Sequence, residues 1–194
     1  MKRTGYLWTS VALLALLAIP GAAVADDGIN WSYVEAGFNS FDIDELDDDG
    51  DGYFVGASFG GKNWHVFGRY IDNSTDESDT DISRWYAGLG WHGLLGEKAD
   101  LVGELAYLNA EVGTVDDSGY FGRVGARWRP ISLLEVGAFA RWEDKGDLDD
   151  VPEFDNDVIW ELNAMVYLWK FAIGLGYEME SEIDTYNAFA RFNF

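Results

Sequence analysis

The residues with the clearest chemical potential are acidic. Seven acids lie between 42 and 51, and Asp47, Asp49 and Asp51 have the D-x-D-x-D-G spacing that begins many calcium-binding loops. In such a loop alternate carboxylates converge on one ion, and the glycine permits a sharp turn. An EF-hand loop also needs a bidentate Glu at its twelfth position, which is Ser58 here. We therefore predict weak binding of Ca²⁺ or Mg²⁺ at the three aspartates, with a solvated acidic hairpin loop as the alternative.

Histidine offers the other possible chemistry, and the chain has only His65 and His92, with no cysteine. A catalytic zinc site needs three protein ligands and an open position, and a nucleophilic serine needs an adjacent base. Neither pattern surrounds these histidines. We predict no catalytic residue and assign both histidines to an interior polar network, with an acid–base pair as the less favoured alternative.

The composition excludes several classes of protein. Among 194 residues there are 35 Asp and Glu against 13 Lys and Arg, so the net charge is -22. Such an acidic chain is a poor partner for nucleic acid, whose phosphates recruit Lys and Arg. A hydrophobic share of 48% excludes wholesale disorder, and the lack of Cys excludes disulfides. A single folded domain is expected.

The start of the chain has the pattern of a cleaved secretory signal. Two bases precede an apolar stretch over 11–19, and the small residues Ala23 and Ala25 stand at the expected cleavage site. We predict a signal peptide over 1–25 and a mature domain over 26–194, exported to a bacterial envelope. Because no apolar run of 18 or more residues follows, any membrane crossing by this domain must use β-strands.

Hydrophobicity along the mature chain repeats every second residue, which is typical of β-strands. Tight turns alternate with longer, mostly acidic connections, and this indicates an all-β, up-and-down antiparallel barrel. We predict ten strands, with eight as the alternative because strands nine and ten are joined by a short acidic turn. The predicted ranges are 30–41, 53–61, 64–72, 83–95, 100–113, 119–129, 131–143, 157–169, 171–180 and 185–194.

One face of each strand is apolar and carries aromatic residues at its ends. A soluble sandwich would have no reason to place Trp at both margins, whereas lipid-facing barrels carry an aromatic girdle at each interface. We therefore predict a transmembrane barrel. The predicted girdles comprise Trp64, Trp91, Trp128, Phe171 and Phe194 at one interface and Tyr70, Trp85, Trp142, Trp160, Tyr177 and Tyr186 at the other.

The opposite face of the strands collects charges of both signs. Charges withdrawn from bulk water are tolerated when they are paired and hydrogen-bonded. Ten strands are close to the number whose interior side chains fill, so we predict a plugged or very narrow interior with a ladder of ion pairs. A selective pore is the alternative. The predicted charge ladder comprises Glu35, Arg69, Arg84, Glu104, Arg123, Arg127, Glu135, Arg141, Glu161, Glu178 and Arg191.

Most of the acids fall in the connections opposite the chain termini, and we assign Glu143 to one of these loops. An even strand number puts both termini on one side, which we predict to be periplasmic, with the acidic loops extracellular. Such loops would repel lipopolysaccharide phosphates unless divalent cations bridge the two. The outward alternation that ends in Tyr186, Phe192 and Phe194 resembles the C-terminal signal read by the outer-membrane assembly machinery.

The periodic strands, the terminal Phe and the chain length resemble the small outer-membrane β-barrel proteins of the OmpA, OmpX and Ail kind. Four segments are similar to the short signal-regulated barrels of xanthomonads: Trp31-Ser-Tyr-Val-Glu35, Asp49-Gly-Asp-Gly-Tyr53, His65-Val-Phe-Gly-Arg-Tyr70 and Trp85-Tyr-Ala-Gly-Leu-Gly-Trp91. The resemblance implies a monomeric surface barrel without enzymatic activity, and it supplies no catalytic residues.

These patterns together predict a non-enzymatic outer-membrane barrel that acts in surface interaction or envelope stability through its acidic loops. A narrow porin-like channel for small solutes is the alternative, and a lipid-modifying enzyme that uses a histidine is the least favoured function. No cofactor is predicted apart from weakly bound Ca²⁺ or Mg²⁺.

Overall fold

The computed structural model describes residues 29–43, 48–76, 80–113, 115–144, 158–180 and 183–194. Within these ranges the chain forms ten β-strands. They are β1 (Tyr33–Ile43), β2 (Asp48–Gly60), β3 (Trp64–Thr75), β4 (Asp81–Gly96), β5 (Ala99–Val112), β6 (Val115–Ile131), β7 (Leu134–Asp144), β8 (Val158–Leu168), β9 (Phe171–Met179) and β10 (Ile183–Asn193). The predicted signal peptide, with Ala23 and Ala25, lies outside the described residues, as does Asp47.

The ten strands close into one antiparallel barrel in which each strand pairs with its neighbours in sequence and β1 pairs with β10. The closing seam runs from the pair Tyr33 and Asn193 to the pair Ile43 and Ile183. The predicted up-and-down barrel of ten strands is therefore confirmed, and the eight-stranded alternative is wrong. In the described part of the chain no helix is long and apolar enough to cross a bilayer.

The barrel has two unlike ends. At one end, here called the terminal end, the chain enters β1 and leaves β10, and tight turns join the other strands. Lys62, Lys98 and Lys170 lie in these turns, and Trp169 next to Lys170 adopts a left-handed φ of 63°. The opposite end, here called the loop end, holds the longer and more acidic connections.

Several strands extend further towards the loop end than the sequence predicts. β2 begins at Asp48 and β6 at Val115, several residues before the predicted starts. The additional residues are mainly Asp and Gly, which have low β-propensity and on their own favour loops. They are nevertheless paired, and Asp49 stands opposite Asp42 on β1. Hydrogen bonding to the neighbouring strand overrides local propensity here, so the wall of the barrel is taller at this end.

Side chains alternate between the outside and the inside of the barrel along every strand. Outward residues such as Leu105, Ile173 and Leu175 are large, apolar and exposed. The inward residues are mostly buried and include an apolar cluster of Phe54, Ile71, Tyr86, Ala106, Leu108 and Phe121. An apolar exterior around a partly charged interior is the arrangement expected when lipid, and not water, surrounds the barrel.

Candidate functional site

All eleven residues of the predicted charge ladder face the interior, where they form three groups of ion pairs. The first group joins the first and last strands. Glu35 on β1 accepts hydrogen bonds from Arg191 on β10, at 3.0 Å from Nε and 2.6 Å from Nη2, and it also pairs with Arg69 on β3. Arg191 stacks 3.8 Å from the centre of the Tyr33 ring. One carboxylate therefore serves two guanidinium groups.

The second group follows the inner wall over five consecutive strands, from β5 to β9. Arg123 Nη1 donates to Glu104 Oε2 at 3.0 Å, and Arg123 Nε lies 3.1 Å from Glu161 Oε2. Arg141 Nη1 donates to Glu161 Oε1 at 2.6 Å, and its Nη2 donates to Glu178 Oε2 at 3.0 Å. Because each carboxylate contacts at least one guanidinium, the cost of removing these charges from water is offset by short, charge-assisted hydrogen bonds.

Glu143, which the sequence places among the loop acids, lies inside the barrel. Its Oε1 is 2.8 Å from Arg141 Nε, and its Oε2 is 3.1 Å from Arg84 Nη1. The loop assignment is wrong because β7 continues to Asp144, so alternation from Glu135 and Arg141 turns Glu143 inward. With it, six glutamates face the six arginines of the charge ladder.

The third group lies at the terminal end of the interior. Arg127 Nε donates to Glu135 Oε1 at 2.7 Å, and the Tyr167 hydroxyl donates to Glu135 Oε2 at 3.0 Å. Glu135 is completely buried. Tyr167 is not among the predicted interior residues, although its position in the alternation of β8, on the face of Glu161, is sufficient to place it inside.

The two histidines meet beside this third group. His65 Nδ1 and His92 Nδ1 are 3.2 Å apart, and His65 Nε2 is 2.8 Å from Glu104 Oε1. Both rings are buried. Gly90 makes room for the pair, since a Cβ at this position would clash with the His65 ring. The histidines are thus linked to the charge ladder through Glu104.

Residues 29–32, which directly precede β1, fold into the terminal end of the interior and close it. Trp31 stacks on His65 and His92 with ring centres 4.5 and 4.3 Å apart, and its Nε1 donates to Asp100 Oδ2 at 3.0 Å. The Cζ atom of Arg127 also lies over this ring, 4.3 Å from its centre. Sequence periodicity gives no indication of this plug, because residues 30–32 fit the start of the predicted first strand, 30–41.

Apolar side chains close much of the interior at the loop end. Phe41, Ile71, Leu108 and Ile159 point inward and are buried. They surround a cavity of about 100 Å³ whose charged floor includes Arg84 and Arg141 of the charge ladder. Water therefore meets a narrow apolar constriction before it reaches the ion pairs.

The predicted girdle residues point outward, away from the charged interior. Trp64, Trp85, Trp91, Trp128, Trp142, Trp160, Phe171 and Tyr186 are exposed, whereas Tyr70, Tyr177 and Phe194 are half-buried. Some are linked across strands, as in the Tyr177–Tyr186 pair at 5.1 Å between ring centres. Near the terminal end Phe192 packs on Phe171 at 5.0 Å, and Phe194 packs on Phe59 at 5.4 Å.

Only two of the three aspartates of the predicted calcium site lie in the described part of the chain. Asp49 and Asp51 lie on the outward face of strand β2 and are exposed, while Asp47 lies outside the described residues. Asp49 is instead opposite Asp42, which is opposite Asp184 on β10, so three acids form a row across adjacent strands. Within the described ranges no group of three His, Cys, Asp or Glu residues is arranged to hold a metal ion. Calcium binding at Asp47, Asp49 and Asp51 stays a prediction.

Comparison with known proteins identifies similar folds but no close relative. No protein-family model and no curated protein matches the chain. The β domain of the Bordetella autotransporter BrkA is similar with a TM-score of 0.51 and 12% identity, over 86% of this chain and 100% of that structure. The KdgM porin in complex with disordered oligogalacturonate gives 0.47 and 8%, over 84% and 99%. Ail, the attachment invasion locus protein of Yersinia pestis, gives 0.43 and 12%, over 85% and 99%.

The fold and its exterior define the class of the protein. The closed antiparallel barrel, the exposed apolar wall with aromatic residues towards both ends, and its structural neighbours are those of a small outer-membrane β-barrel. The chain thus has the fold of small outer-membrane β-barrel proteins, which is the architecture that its resemblance to the OmpA, OmpX and Ail group implies. The closer similarity to xanthomonad barrels stays a prediction.

Proposed function

We propose that this protein is a monomeric, non-enzymatic barrel whose interior is closed and whose acidic outer surface makes contacts that support envelope stability or surface interaction. The observation that carries the proposal is the filled interior. Trp31 closes the terminal end, paired arginines and glutamates occupy the middle, and inward apolar side chains narrow the loop end. A barrel built in this way offers its outside, and not its interior, for function.

The distribution of charge supports an orientation with the loop end outside the cell. Asp42, Asp49, Asp81, Glu111 and Asp116 are exposed near the loop end, whereas the turn lysines lie at the terminal end. In bacterial outer-membrane barrels the short turns face the periplasm and the longer loops face outward. In this orientation both chain termini are periplasmic, and the acids meet the level of the lipopolysaccharide headgroups.

Divalent cations would connect this acidic surface to lipopolysaccharide. The acids and the lipid phosphates repel each other, and Ca²⁺ or Mg²⁺ takes oxygen ligands from both. The row of Asp42, Asp49 and Asp184 suits shared coordination, in which the protein supplies some ligands and the lipid supplies the others.

Delivery to the membrane would depend on the last strand. The aromatic rings of Tyr186, Phe192 and Phe194 lie on the outward face of β10 and its C-terminal end, where the outer-membrane assembly machinery could bind them during insertion. If the signal peptide is cleaved after Ala25, as the sequence predicts, the mature protein begins at residue 26.

A closed interior predicts the absence of conductance. In planar bilayers at neutral pH the purified full chain should give no stable unitary current steps. Trp31→Ala should also remain closed, because the Arg123 and Arg141 ion pairs still block the middle of the barrel. Stable, ion-selective steps from the unmodified protein would contradict this proposal and would favour the narrow channel.

Cation bridging predicts a stability gain that depends on both the ion and the lipid. In nanodiscs that contain lipopolysaccharide, millimolar Mg²⁺ should raise the melting temperature by about 2–5 °C. This is the rise expected when the free ion concentration is about ten times the Kd of one site. Replacement of Asp42, Asp49 and Asp184 by Asn should remove most of this gain. The matched control changes Asp81, Glu111 and Asp116 to their amides, which alters the net charge equally. An equal loss in both variants would indicate diffuse screening and would count against a defined row.

A further inference from the structure

The outer wall of the barrel contains an apolar groove of about 1110 Å³ that extends across β4 to β7. Its floor is formed by four small outward residues, Ala87, Gly103, Gly122 and Ala140. We propose that this groove holds an acyl chain of one phospholipid, whose anionic headgroup lies at the terminal end of the barrel beside Lys62 and Lys98.

Aromatic rings mark the two ends of the groove. Trp64 and Trp91 stand opposite each other on β3 and β4 at its terminal margin. Tyr107 and Tyr120 stand opposite each other on β5 and β6 towards the loop end, with their ring centres 5.9 Å apart. Tryptophan at a girdle position lies at the level of the lipid headgroups. The groove therefore opens at headgroup level and continues along the part of the wall that faces hydrocarbon.

Two glycines give the groove its depth, and packing within the barrel requires neither of them. A Cβ at Gly103 would meet no heavy atom within 4 Å, and one at Gly122 would lie at an ordinary 3.6 Å from Leu105. At the inward Gly125, in contrast, a Cβ would clash with Phe139. Glycine weakens a strand and often marks a position that a ligand approaches closely. The space above Gly103 and Gly122 is thus open to a molecule outside the barrel.

The shape of the groove determines how firmly it holds a lipid chain. Lipid tails are as apolar as the wall, so contact with them inside a bilayer gives no hydrophobic gain, and van der Waals packing decides the strength of association. A flat wall touches a chain on one side only. The groove contacts it from the floor and from flanking side chains such as Leu89, Leu105 and Val124, and many small dispersion contacts add up.

Positive charge flanks the terminal margin of the groove. Lys62 lies in the turn between β2 and β3, and Lys98 lies in the turn between β4 and β5. Two strands separate these turns, which corresponds to about 10 Å. Both lysines are exposed, and the hydrogen bond from Lys98 Nζ to the Pro130 carbonyl, at 2.8 Å, leaves the charge uncompensated. One headgroup phosphate between the turns would be within reach of both flexible side chains.

The local balance of charge remains positive when the neighbouring groups are included. Glu97, beside Lys98, is the only acid in the four tight turns of the terminal end, all of which are described. Arg129 adds a further positive charge next to Lys98, since its backbone N–H donates to the Lys98 carbonyl at 2.8 Å. Three bases therefore face one acid at this margin, and an anionic headgroup is attracted to it.

The other ends of the same strands have the opposite charge. Asp81 on β4, Glu111 on β5 and Asp116 on β6 are exposed near the loop end. An anionic headgroup would be repelled there, so the lipid should enter the groove from the terminal end. A zwitterionic headgroup has no net charge and gains less from this separation of charge along the wall.

Native mass spectrometry of the purified barrel tests the proposal. The protein is released from detergent micelles that contain equal amounts of phosphatidylglycerol and phosphatidylcholine with identical chains. One phosphatidylglycerol molecule should remain bound, with an apparent affinity about tenfold higher than that of phosphatidylcholine, as expected for two lysines near one anionic group.

Two double variants separate the headgroup contact from the groove. Lys62→Gln with Lys98→Gln should lower the preference for phosphatidylglycerol to about twofold or less. Gly103→Leu with Gly122→Leu fills the groove and should weaken binding of both lipids by a similar factor.

Each double variant has a matched control. Lys170→Gln with Ser118→Asp changes the net charge by the same amount away from the groove and should keep the preference. Ala36→Leu with Ala190→Leu adds leucines to paired outward positions on β1 and β10 and should leave lipid binding unchanged.

Three results would overturn the proposal. Equal retention of the two lipids, or a preference that survives loss of Lys62 and Lys98, would show that no anionic headgroup is selected at this margin. Binding that is insensitive to the leucines at 103 and 122 would place the lipid elsewhere. A dimer that these leucines dissociate would assign the groove to a second copy of the chain. None of these results depends on whether the acidic loop end binds lipopolysaccharide.

Discussion

Replacement of Glu35 by Gln is expected to lower the free energy of unfolding by about 3–5 kcal/mol. Glu35 is buried and receives hydrogen bonds from Arg191 and an ion pair from Arg69. Glutamine preserves the shape of the side chain but takes from both guanidinium groups the carboxylate to which they are hydrogen-bonded. Removal of one partner from a buried ion group costs more than the group contributes as a whole, because the remaining charges stay desolvated.

Urea unfolding of the purified barrel, followed by intrinsic tryptophan fluorescence, measures this change. Arg69→Gln is the matched control, since it also removes one charge but leaves a neutral pair between Glu35 and Arg191. We expect its cost to be smaller than that of Glu35→Gln. A loss below about 1 kcal/mol for Glu35→Gln would show that water reaches this group freely, and the interior could not then be described as closed.

Acidification is expected to release Trp31 from the terminal end of the interior. The Glu104 carboxylate only accepts hydrogen bonds when ionised, so His65 Nε2 donates to it and, in the neutral ring, His65 Nδ1 accepts from His92 Nδ1. One added proton can be accommodated, because on His92 Nε2 it leaves the bond between the rings intact, and on His65 Nδ1 it requires only that His92 change tautomer. A second proton places two N–H donors and two cations face to face at 3.2 Å.

Charges of both signs surround the two histidines. Asp100 and Glu104 on β5 attract protons, whereas Arg127 on β6 opposes them from across the Trp31 ring. Arg123 on the same strand as Arg127 already binds Glu104. We therefore expect the contact to be lost in acid when both rings are cationic.

The indole N–H of Trp31 reports this change, because it donates to Asp100 in a buried site. Its NMR signal, assigned with Trp31→Phe, should be protected from hydrogen exchange at neutral pH and should lose that protection in acid. The outward Trp128 is the internal control. His92→Gln should retain protection to lower pH, and equal pH dependence in this variant and the unmodified protein would exclude the histidine pair as the cause.

Alternation alone was sufficient to predict which residues face inward in the membrane part of the barrel. Arg123 and Arg127 on β6, or Glu135 and Arg141 on β7, follow directly from a period of two residues. What the sequence could not provide is the stagger between strands, which decides partners. Arg191 pairs with Glu35 across the seam, a contact 156 residues apart in the chain.

Errors arose where local propensity and tertiary pairing disagree. The Asp and Gly residues at the start of β2 favour a loop by themselves, yet pairing with β1 and β3 extends them into the wall. Glu143 directly follows Trp142, a residue of the predicted girdle, and is therefore easily assigned to the loop beyond the membrane. Strict alternation nevertheless places it inside the barrel. Trp31 had no such clue, because its position depends on the cavity that the finished barrel offers.

The seam between β1 and β10 has a consequence for how the protein is made. Glu35 lies near one end of the chain and Arg191 near the other, so neither charge can be neutralised by the other until the last strand joins the first. A half-inserted sheet would expose these charged side chains to hydrocarbon, together with the unpaired backbone groups at its two edge strands. Exposure is unfavourable for the charges and for the backbone groups. Biogenesis should therefore be cooperative, with few stable partly assembled species, and late contacts should limit its rate because they join the most distant parts of the chain.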